Sequence, residues 1–557
     1  MKTLAQIFDY LAQHDKLPES TEVDKQTKVT GLTLDSRQVK VGFAFIALQG
    51  AQYHGLDFLQ TAVSKGAALV VADRPLSVSE QEMVKHSGVK LLAIEKMSMQ
   101  ALGEFAHWFY DSPTSKLKVI GVTGTNGKTS TAFYCAQLLA SHQLDKQPVQ
   151  EQGQKQKVAV IGTLGNGALD DLQATANTTP DSVTLAKLFA DFVEQGFTYV
   201  VMEVSSHAIA LDRIAGVNFY ITALTQIGSD HLDFHGSQSN YAATKLSFLS
   251  DYAARYRVVN LDDDSFREGY FASEMVASKN PRKSDGEQPI SPAWLGYSQT
   301  PGIAEEFFNH VQQVQTWQGC LLATNQVLDS AGVQFQLNAS TVIRKGSEAA
   351  QIGNTREAVE LTAGLLGRFN IENLLCALTI LRATGCTDFS NIGKAVAGLT
   401  PVLGRMQIVH RQPTVVVDFA HTADGLKALL SAVKEHLPQS GSLWVLFGCG
   451  GDRDQAKRPQ MAQVAESFAD QIVITSDNPR TEPAEKIAQQ IIAGLTSDAY
   501  ALQLDRKQAI DYALYHANVN DVVVIAGKGH ENSQEIQGVK RPFSDQAVVA
   551  AFYRPTA

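Results

Sequence analysis

One glycine-rich run, Gly121-Val122-Thr123-Gly124-Thr125-Asn126-Gly127-Lys128-Thr129-Ser130, holds the residue types best suited to chemistry in this chain. An apolar, β-branched stretch (117–122) precedes it and a helical pattern (129–140) follows. A glycine turn between strand and helix points several backbone N–H groups at one spot, and the helix N-terminus adds partial positive charge there. Phosphate is the ligand such a cup suits. Lys128 supplies a point charge for the β- and γ-phosphates, and the Thr129 hydroxyl suits Mg²⁺. The candidate nucleotide site is thus Gly124, Thr125, Asn126, Gly127, Lys128, Thr129 and Ser130. A strict Walker spacing would put glycine at 122, where valine stands, so the loop is a variant. Farther along, Glu203 follows a strand-like run (199–202), a position suited to a Mg²⁺ ligand downstream of a phosphate loop. Ser229-Asp230-His231-Leu232-Asp233-Phe234-His235-Gly236 then places two histidines and two aspartates within six residues. Alone, that cluster equally suits a hydrophilic loop; beside a phosphate loop and Glu203 it reads as a metal contact.

Such groups act together only if several strands end side by side. The chain predicts an α/β fold of three domains. The N-terminal α/β domain spans 1–112, a central P-loop-type domain with a parallel sheet spans 113–399, and a C-terminal Rossmann-like domain spans 400–557. The first boundary is the polar, proline-bearing Asp111-Ser112-Pro113-Thr114-Ser115, and the second lies near Thr400-Pro401. Runs at 29–34, 43–48 and 67–72 read as strands of the first domain, and 117–122, 199–202 and 219–224 as strands of the second. In the third, 414–417 leads into Asp418, 443–447 into Gly448, 471–475 into Ser476 and 521–526 into Gly527. Ligands of open α/β sheets bind at the carboxyl ends of strands, so these polar loops are expected to line a site. The polar stretches 147–157 and 279–288 read as surface insertions.

The 557-residue length calls for more than one hydrophobic core. A net charge of -10 offers no basic footprint for nucleic acid and no polybasic membrane anchor. Phosphate binding must therefore rest on local devices. The five cysteines are far apart and none has C-x-x-C spacing, which suggests neither a disulfide framework nor a zinc site. The first 17 residues fit an amphipathic helix and not a signal peptide, and no apolar run nears the roughly 20 residues of a membrane helix. A cytoplasmic protein is expected.

At the phosphate loop the chain resembles the Mur ligase family. Thr-Gly-Thr-Asn-Gly-Lys-Thr-Ser (123–130) is similar to the ATP loop of those enzymes and of the related folylpolyglutamate synthetases. The resemblance implies ATP and Mg²⁺ as cofactors and a catalytic set of Lys128, Glu203, His231 and Lys245. Thr129, Glu203 and His231 would be the metal contacts. Lys245, in Tyr241-Ala242-Ala243-Thr244-Lys245, is implied to carry an N6-carboxyl group; residue chemistry alone reads it as an exposed helix lysine. Gly367-Arg368-Phe369-Asn370-Ile371-Glu372-Asn373 resembles the family's G-x-F-N-x-x-N motif, which gives Asn370 and Asn373 an adenine edge, while the bare motif equally suits a helix start. Arg405, in Leu403-Gly404-Arg405-Met406, is implied to reach nucleotide phosphates. This chain departs from the family at Gln226, Ser229, Phe419 and Ala423, which stand where asparagine, arginine, tyrosine and proline are usual.

The N-terminal Leu34-Asp35-Ser36-Arg37, Gly42 and Phe45-Ile46-Ala47-Leu48-Gln49-Gly50 resemble the UDP-binding domain of the MurE and MurF branches, which folylpolyglutamate synthetases lack. The implied contacts are Leu34, Ser36, Ala51, Gln52 and Tyr53, continued by Asn177, Thr178, Thr179, Ser205 and Arg213. Leu211 stands where glutamine is common. Ser476-Asp477-Asn478-Pro479-Arg480 resembles the D-N-P-R signature of the branch that adds meso-diaminopimelate. Diaminopimelate differs from lysine by a second carboxylate, and a guanidinium grips a carboxylate bidentately. Arg480 is the expected clamp and Arg453 a second cation, with Asp477, Asn478, Pro479, Gly527 and Glu531 completing the set. The implied activity joins UDP-N-acetylmuramoyl-L-alanyl-D-glutamate to meso-diaminopimelate through an acyl phosphate, in peptidoglycan synthesis, with a monomer expected. A lysine-adding relative, a MurF-type ligase and a catalytically silent nucleotide-binding module are the other readings.

Overall fold

The computed structural model describes residues 1–14, 26–50, 52–85, 87–94, 97–141, 157–175, 177–272, 292–310, 316–343, 351–354, 358–386, 389 and 392–554. Ala51, the stretch 279–288 and all but the last residue of 147–157 lie outside them. The chain divides into two compact units, 1–296 with 313–318, and 297–312 with 319–557.

The first unit opens with a four-stranded parallel sheet, Gly31–Thr33, Phe43–Ala47, Leu69–Ala72 and Lys90–Ala93 in that order. Side chains alternate across a pleated strand, and both faces here are apolar. Ala44, Ile46, Leu69 and Val71 pack with the helices Leu4–His14 and Met99–Phe109. Phe45, Ala47, Val70 and Ala72 pack with the helices Leu59–Ser64 and Val78–Val84 on the other side.

A second sheet in this unit runs Asp171–Gln173, Gly165–Ala168, Val158–Gly162, Tyr199–Glu203, Lys118–Thr123, Phe219–Leu224, Ala254–Asn260. The last five are parallel. Lys118–Thr123, which leads into the glycine turn, lies between Tyr199–Glu203 and Phe219–Leu224. Out-of-sequence neighbours of this kind bring loops from distant chain segments to one carboxyl edge. Glu203 is not in the loop after its strand but is its last residue, paired with Val122.

The second unit is built on a six-stranded sheet, ordered Gln407–Arg411, Thr414–Asp418, Val522–Ala526, Leu443–Phe447, Gln471–Ile474, Ala501–Leu502. Only the first pair is antiparallel. Val416, Val445, Ile474 and Val524 face one core, while Val417, Leu446, Val473 and Ile525 face the other. The unit also holds an antiparallel pair, 319–329 with Gly332–Ile343, and a small hairpin, Ser533–Ile536 with Val539–Pro542. No described helix is long and apolar enough to cross a membrane.

Candidate active site

The glycine turn takes the shape its residues demand. Gly124 has φ +150° and Gly127 φ +82°, and a Cβ on Gly124 would lie 1.8 Å from the Thr225 hydroxyl. That hydroxyl donates to the Asn126 carbonyl at 2.7 Å and so ties the next strand end to the turn. Lys128 opens the helix Lys128–Ser141 and folds back, its Nζ donating to the carbonyls of Gly124 (2.8 Å) and Thr125 (2.9 Å). Lys245, buried on the helix Gln238–Ser250, donates to the same Gly124 carbonyl at 2.8 Å. Two amines meet on one carbonyl, with no ion pair to either among the described residues, and N–H donors so placed suit phosphate oxygens. Burial pushes the Lys128 amine down. Burial, and then the neighbouring Lys128, pushes Lys245 down to about 6.

Glu203 is buried at the same edge. Its Oε2 accepts the Thr129 hydroxyl at 2.8 Å, and its Oε1 accepts the backbone N–H of Thr163 at 2.8 Å. Gly162 makes room for it, since a Cβ there would lie 2.2 Å from Oε1. Burial pushes this carboxyl above its ordinary range. A hard cation such as Mg²⁺ takes one or two carboxylates, phosphate oxygens and water. A buried carboxylate beside a threonine hydroxyl at a phosphate loop fits that pattern. Among the described residues no three His, Cys, Asp or Glu side chains converge as a closed cage. His231, with no hydrogen bond to this pair among the described residues, sits in a left-handed turn (φ 50°), half exposed, with His207 edge-on to its ring at 4.7 Å. Thr125 and Tyr241 share a hydroxyl contact at 3.0 Å, and the Gly228 N–H donates to Thr125.

The expected substrate loop reaches this carboxylate. Thr178 and Thr163 share a 3.2 Å hydroxyl contact, and the Thr163 hydroxyl also donates to Glu203. Thr179 donates to the Glu203 carbonyl at 2.9 Å and accepts the Ser205 N–H at 3.1 Å. Ser205 caps the helix Ser206–Ala210, and Arg213 donates to the Thr179 carbonyl at 3.4 Å. Asn177, Thr178, Thr179, Ser205, Arg213 and Glu203 are thus drawn into one neighbourhood. Leu34, buried Ser36, Gln52 and exposed Tyr53 sit at the strand ends of the first sheet, and Ala51 falls outside the described residues. There His54 joins Asp73 at 2.8 Å and Asp73 accepts the Gln49 N–H.

The second unit carries the remaining expected residues. Asn370 and Asn373 are buried on the helix Phe369–Ala383 and bonded to each other at 3.1 Å. Arg405 lies over the Phe419 ring, with 5.6 Å from its Cζ to the ring centroid. Asp418 accepts the N–H groups of Met406 and Ala420, both at 2.7 Å. At the carboxyl edge of the six-stranded sheet, Arg480 has φ +54° and donates to the Gly451 carbonyl at 2.8 Å. Arg480 and exposed Arg453 both flank Gly450. Asn478 donates to Glu531 at 2.8 Å, and buried Lys528 bonds both, at 3.0 and 2.7 Å. Burial raises the Glu531 carboxyl, but bonds from Lys528 and Asn478 outweigh it and hold it below the ordinary range. Gly527 lies against Asp477, where a Cβ would meet Oδ2 at 2.4 Å. Thr163, Thr225 and Lys528 were not singled out from the sequence. The partners of Thr163 and Thr225 lie elsewhere in the chain, so no local spacing flags them; Lys528 has Glu531 three residues on, but its second partner, Asn478, is 50 residues away.

Comparison with known proteins adds an independent view. Three family models match: Mur ligase family, catalytic domain (28–110), Mur ligase middle domain (122–281), and Mur ligase, glutamate ligase domain (404–529). The chain is 38% identical to a Coxiella burnetii protein named UDP-N-acetylmuramoyl-L-alanyl-D-glutamate--2,6-diaminopimelate ligase, over 93% of this chain and 94% of that one. A Haemophilus influenzae protein of the same name is 34% identical over the full length of both. A solved structure of a ligase of that name aligns with a TM-score of 0.66 at 31% identity, covering 99% of each chain. MurF from Thermotoga maritima, solved in complex with ADP, shares the fold at a TM-score of 0.52 and 17% identity, covering 91% of this chain and 95% of that one.

Proposed function

The chain belongs to the Mur ligase family, and we propose that it joins the D-glutamate γ-carboxylate of UDP-N-acetylmuramoyl-L-alanyl-D-glutamate to an amine of meso-diaminopimelate, with ATP, in peptidoglycan synthesis. Residues 1–112 would hold the uridine end, 113–399 the ATP and acyl transfer, and 400–557 the amino acid. The observation that carries the choice of amino acid is the Arg480–Asn478–Glu531 group. A guanidinium for a carboxylate lies in the same loop system as a carboxylate for an ammonium.

In the first half-reaction a γ-carboxylate oxygen bonds to the γ-phosphorus of ATP and the bond to the β-phosphate oxygen breaks, leaving ADP and an acyl phosphate. In the second, the free amine attacks the acyl carbon, the carbon–oxygen bond to phosphate breaks, and the nitrogen gives up a proton. Lys128 and the N–H groups of the turn neutralise the transferring phosphoryl oxygens. Mg²⁺, held by Thr129 and Glu203 with His231 as a further contact, would supply Lewis-acid neutralisation of those oxygens. Asn370, Asn373 and Arg405 are assigned to the nucleotide. Five buried thiols without a disulfide suit a reducing, cytoplasmic setting.

Phosphate release from the UDP-dipeptide and ATP, compared with meso-diaminopimelate and with lysine, tests this reading. Diaminopimelate should react far faster, because lysine offers Arg480 no second carboxylate. Arg480→Ala should raise KM for diaminopimelate about 10- to 100-fold, the worth of ~1.5–3 kcal/mol for a charge-assisted bond, with KM for ATP nearly unchanged. Equal rates with the two amino acids would overturn the choice of substrate, and no release with either would favour a silent nucleotide-binding module.

A further inference from the structure

The Lys528 side chain has no solvent exposure, and its place follows from its neighbours in Gly527-Lys528-Gly529. Gly527 has φ +114° and Gly529 φ +53°, so the backbone on either side takes turns that side-chain-bearing residues resist. Added Cβ atoms would lie 2.4 Å from the Asp477 carboxylate and 2.7 Å from the Phe419 Cβ. The paired glycines thus let the chain pass close to two other loops, with the lysine turned inward between them.

The Nζ of Lys528 donates to Asn478 Oδ1 at 3.0 Å and to Glu531 Oε2 at 2.7 Å. Asn478 Oδ1 also accepts the Glu535 N–H at 3.0 Å, and Asn478 Nδ2 donates to Glu531 Oε2. An amide alone can flip by half a turn. With a cation and an N–H both aimed at its oxygen, this one is held in a single sense. Both internal bonds to Glu531 fall on Oε2. Among the described residues no side chain bonds Oε1, which stays available to an incoming ammonium.

Resting on the ligase reading above, we infer that Lys528 is a positioning residue for amino-acid selection, fixing the Asn478 amide and keeping Glu531 as an oriented carboxylate for the distal ammonium of the diamino acid. It touches no reacting atom. The pairing is mutual, since the fully enclosed Lys528 amine would be costly to leave without Glu531 and Asn478.

The test is steady-state kinetics on the full chain with Lys528→Met, varying each substrate in turn, beside a thermal melt. KM for meso-diaminopimelate should rise at least tenfold, with KM for ATP and for the UDP-dipeptide within about twofold. Lys528→Arg, which keeps the charge, should recover part of the loss. An unchanged KM for diaminopimelate, or an equal fall in every parameter, overturns the inference. Should Lys528→Met fail to fold, the double variant Lys528→Met/Glu531→Gln removes both charges together. It should show the same selective rise in KM as Glu531→Gln alone, and a further additive rise would overturn the coupling. Failure of the wild-type chain to prefer diaminopimelate would instead defeat the substrate reading, which separates the two failures.

Discussion

The buried amine of Lys245 turns an implied modification into a physical expectation. An ordinary lysine is protonated at neutral pH and cannot attack CO₂. Burial and the nearby Lys128 lower this amine to about 6, so it is mostly neutral at pH 7 and nucleophilic. The nitrogen can then bond the carbon of CO₂ and lose a proton, which turns a neutral amine into an anion beside the phosphate loop. With ¹³C-bicarbonate, the wild-type chain should show a carbamate resonance that Lys245→Arg lacks. The signal should fade as pH falls through about 6, where the amine becomes protonated. Identical spectra from the two proteins would remove the modification from the reading. At this scale the sequence was unevenly legible. Lys128 and Thr129 announce themselves because one ten-residue run carries them. Thr163 stands 40 residues from its partner Glu203, and Thr225 stands 99 from Asn126, so only the fold reveals them.

Elements were read more surely than single contacts, and the reason is burial. Parallel strands covered on both faces leave continuous apolar runs, as at Tyr199–Glu203, Leu443–Phe447 and Val522–Ala526. Their ends were less visible: Glu203 and Asp418 are within strands, held by pairing with Val122 and Ala526. The hairpin Ser533–Ile536 with Val539–Pro542 has little apolar pattern and was missed, although Arg480 bridges to Ile536 and so depends on it. Helix packing carries a pH prediction. His107, on the helix Met99–Phe109, is buried near Phe189 and Gly216, with neither ring nitrogen bonded among the described residues. Burial lowers it to about 4 from an ordinary 6.5. The unfolded chain therefore binds this proton more readily. Stability is unaffected above pH 6.5 and falls as pH drops toward 4, by about 2 kcal/mol at pH 5. In urea denaturation, His107→Leu should lose less stability than wild type between pH 7 and pH 5. Parallel losses would assign the acid sensitivity elsewhere.

Whole-molecule organisation can be tested where the last helix meets the amino-acid site. The sheet of the 400–557 region carries an apolar core on each of its faces, the requirement for independent folding. Its closing helix, Asp545–Phe552, is tied in by one buried ion pair. The Arg506 guanidinium meets both oxygens of Asp545 at 2.8 Å, and both side chains are fully enclosed. The same guanidinium donates to the carbonyls of Ser476 and Ala526, the residues before Asp477 and Gly527. This pair therefore joins the end of the chain to both loops expected to hold diaminopimelate. Removing one partner of a buried pair strands the other charge and costs about 3–5 kcal/mol. Domains are stable by about 5–15 kcal/mol in total, so that loss is a large share. The fragment 400–557 should unfold in urea as one cooperative transition, and Asp545→Asn should lower its stability by about 3–5 kcal/mol. In the full chain the same substitution should weaken diaminopimelate binding through the two loops while ATP affinity holds. A fragment without a cooperative transition would refute the boundary near 400, and a loss under about 1 kcal/mol would show that the apolar cores hold the helix without the pair.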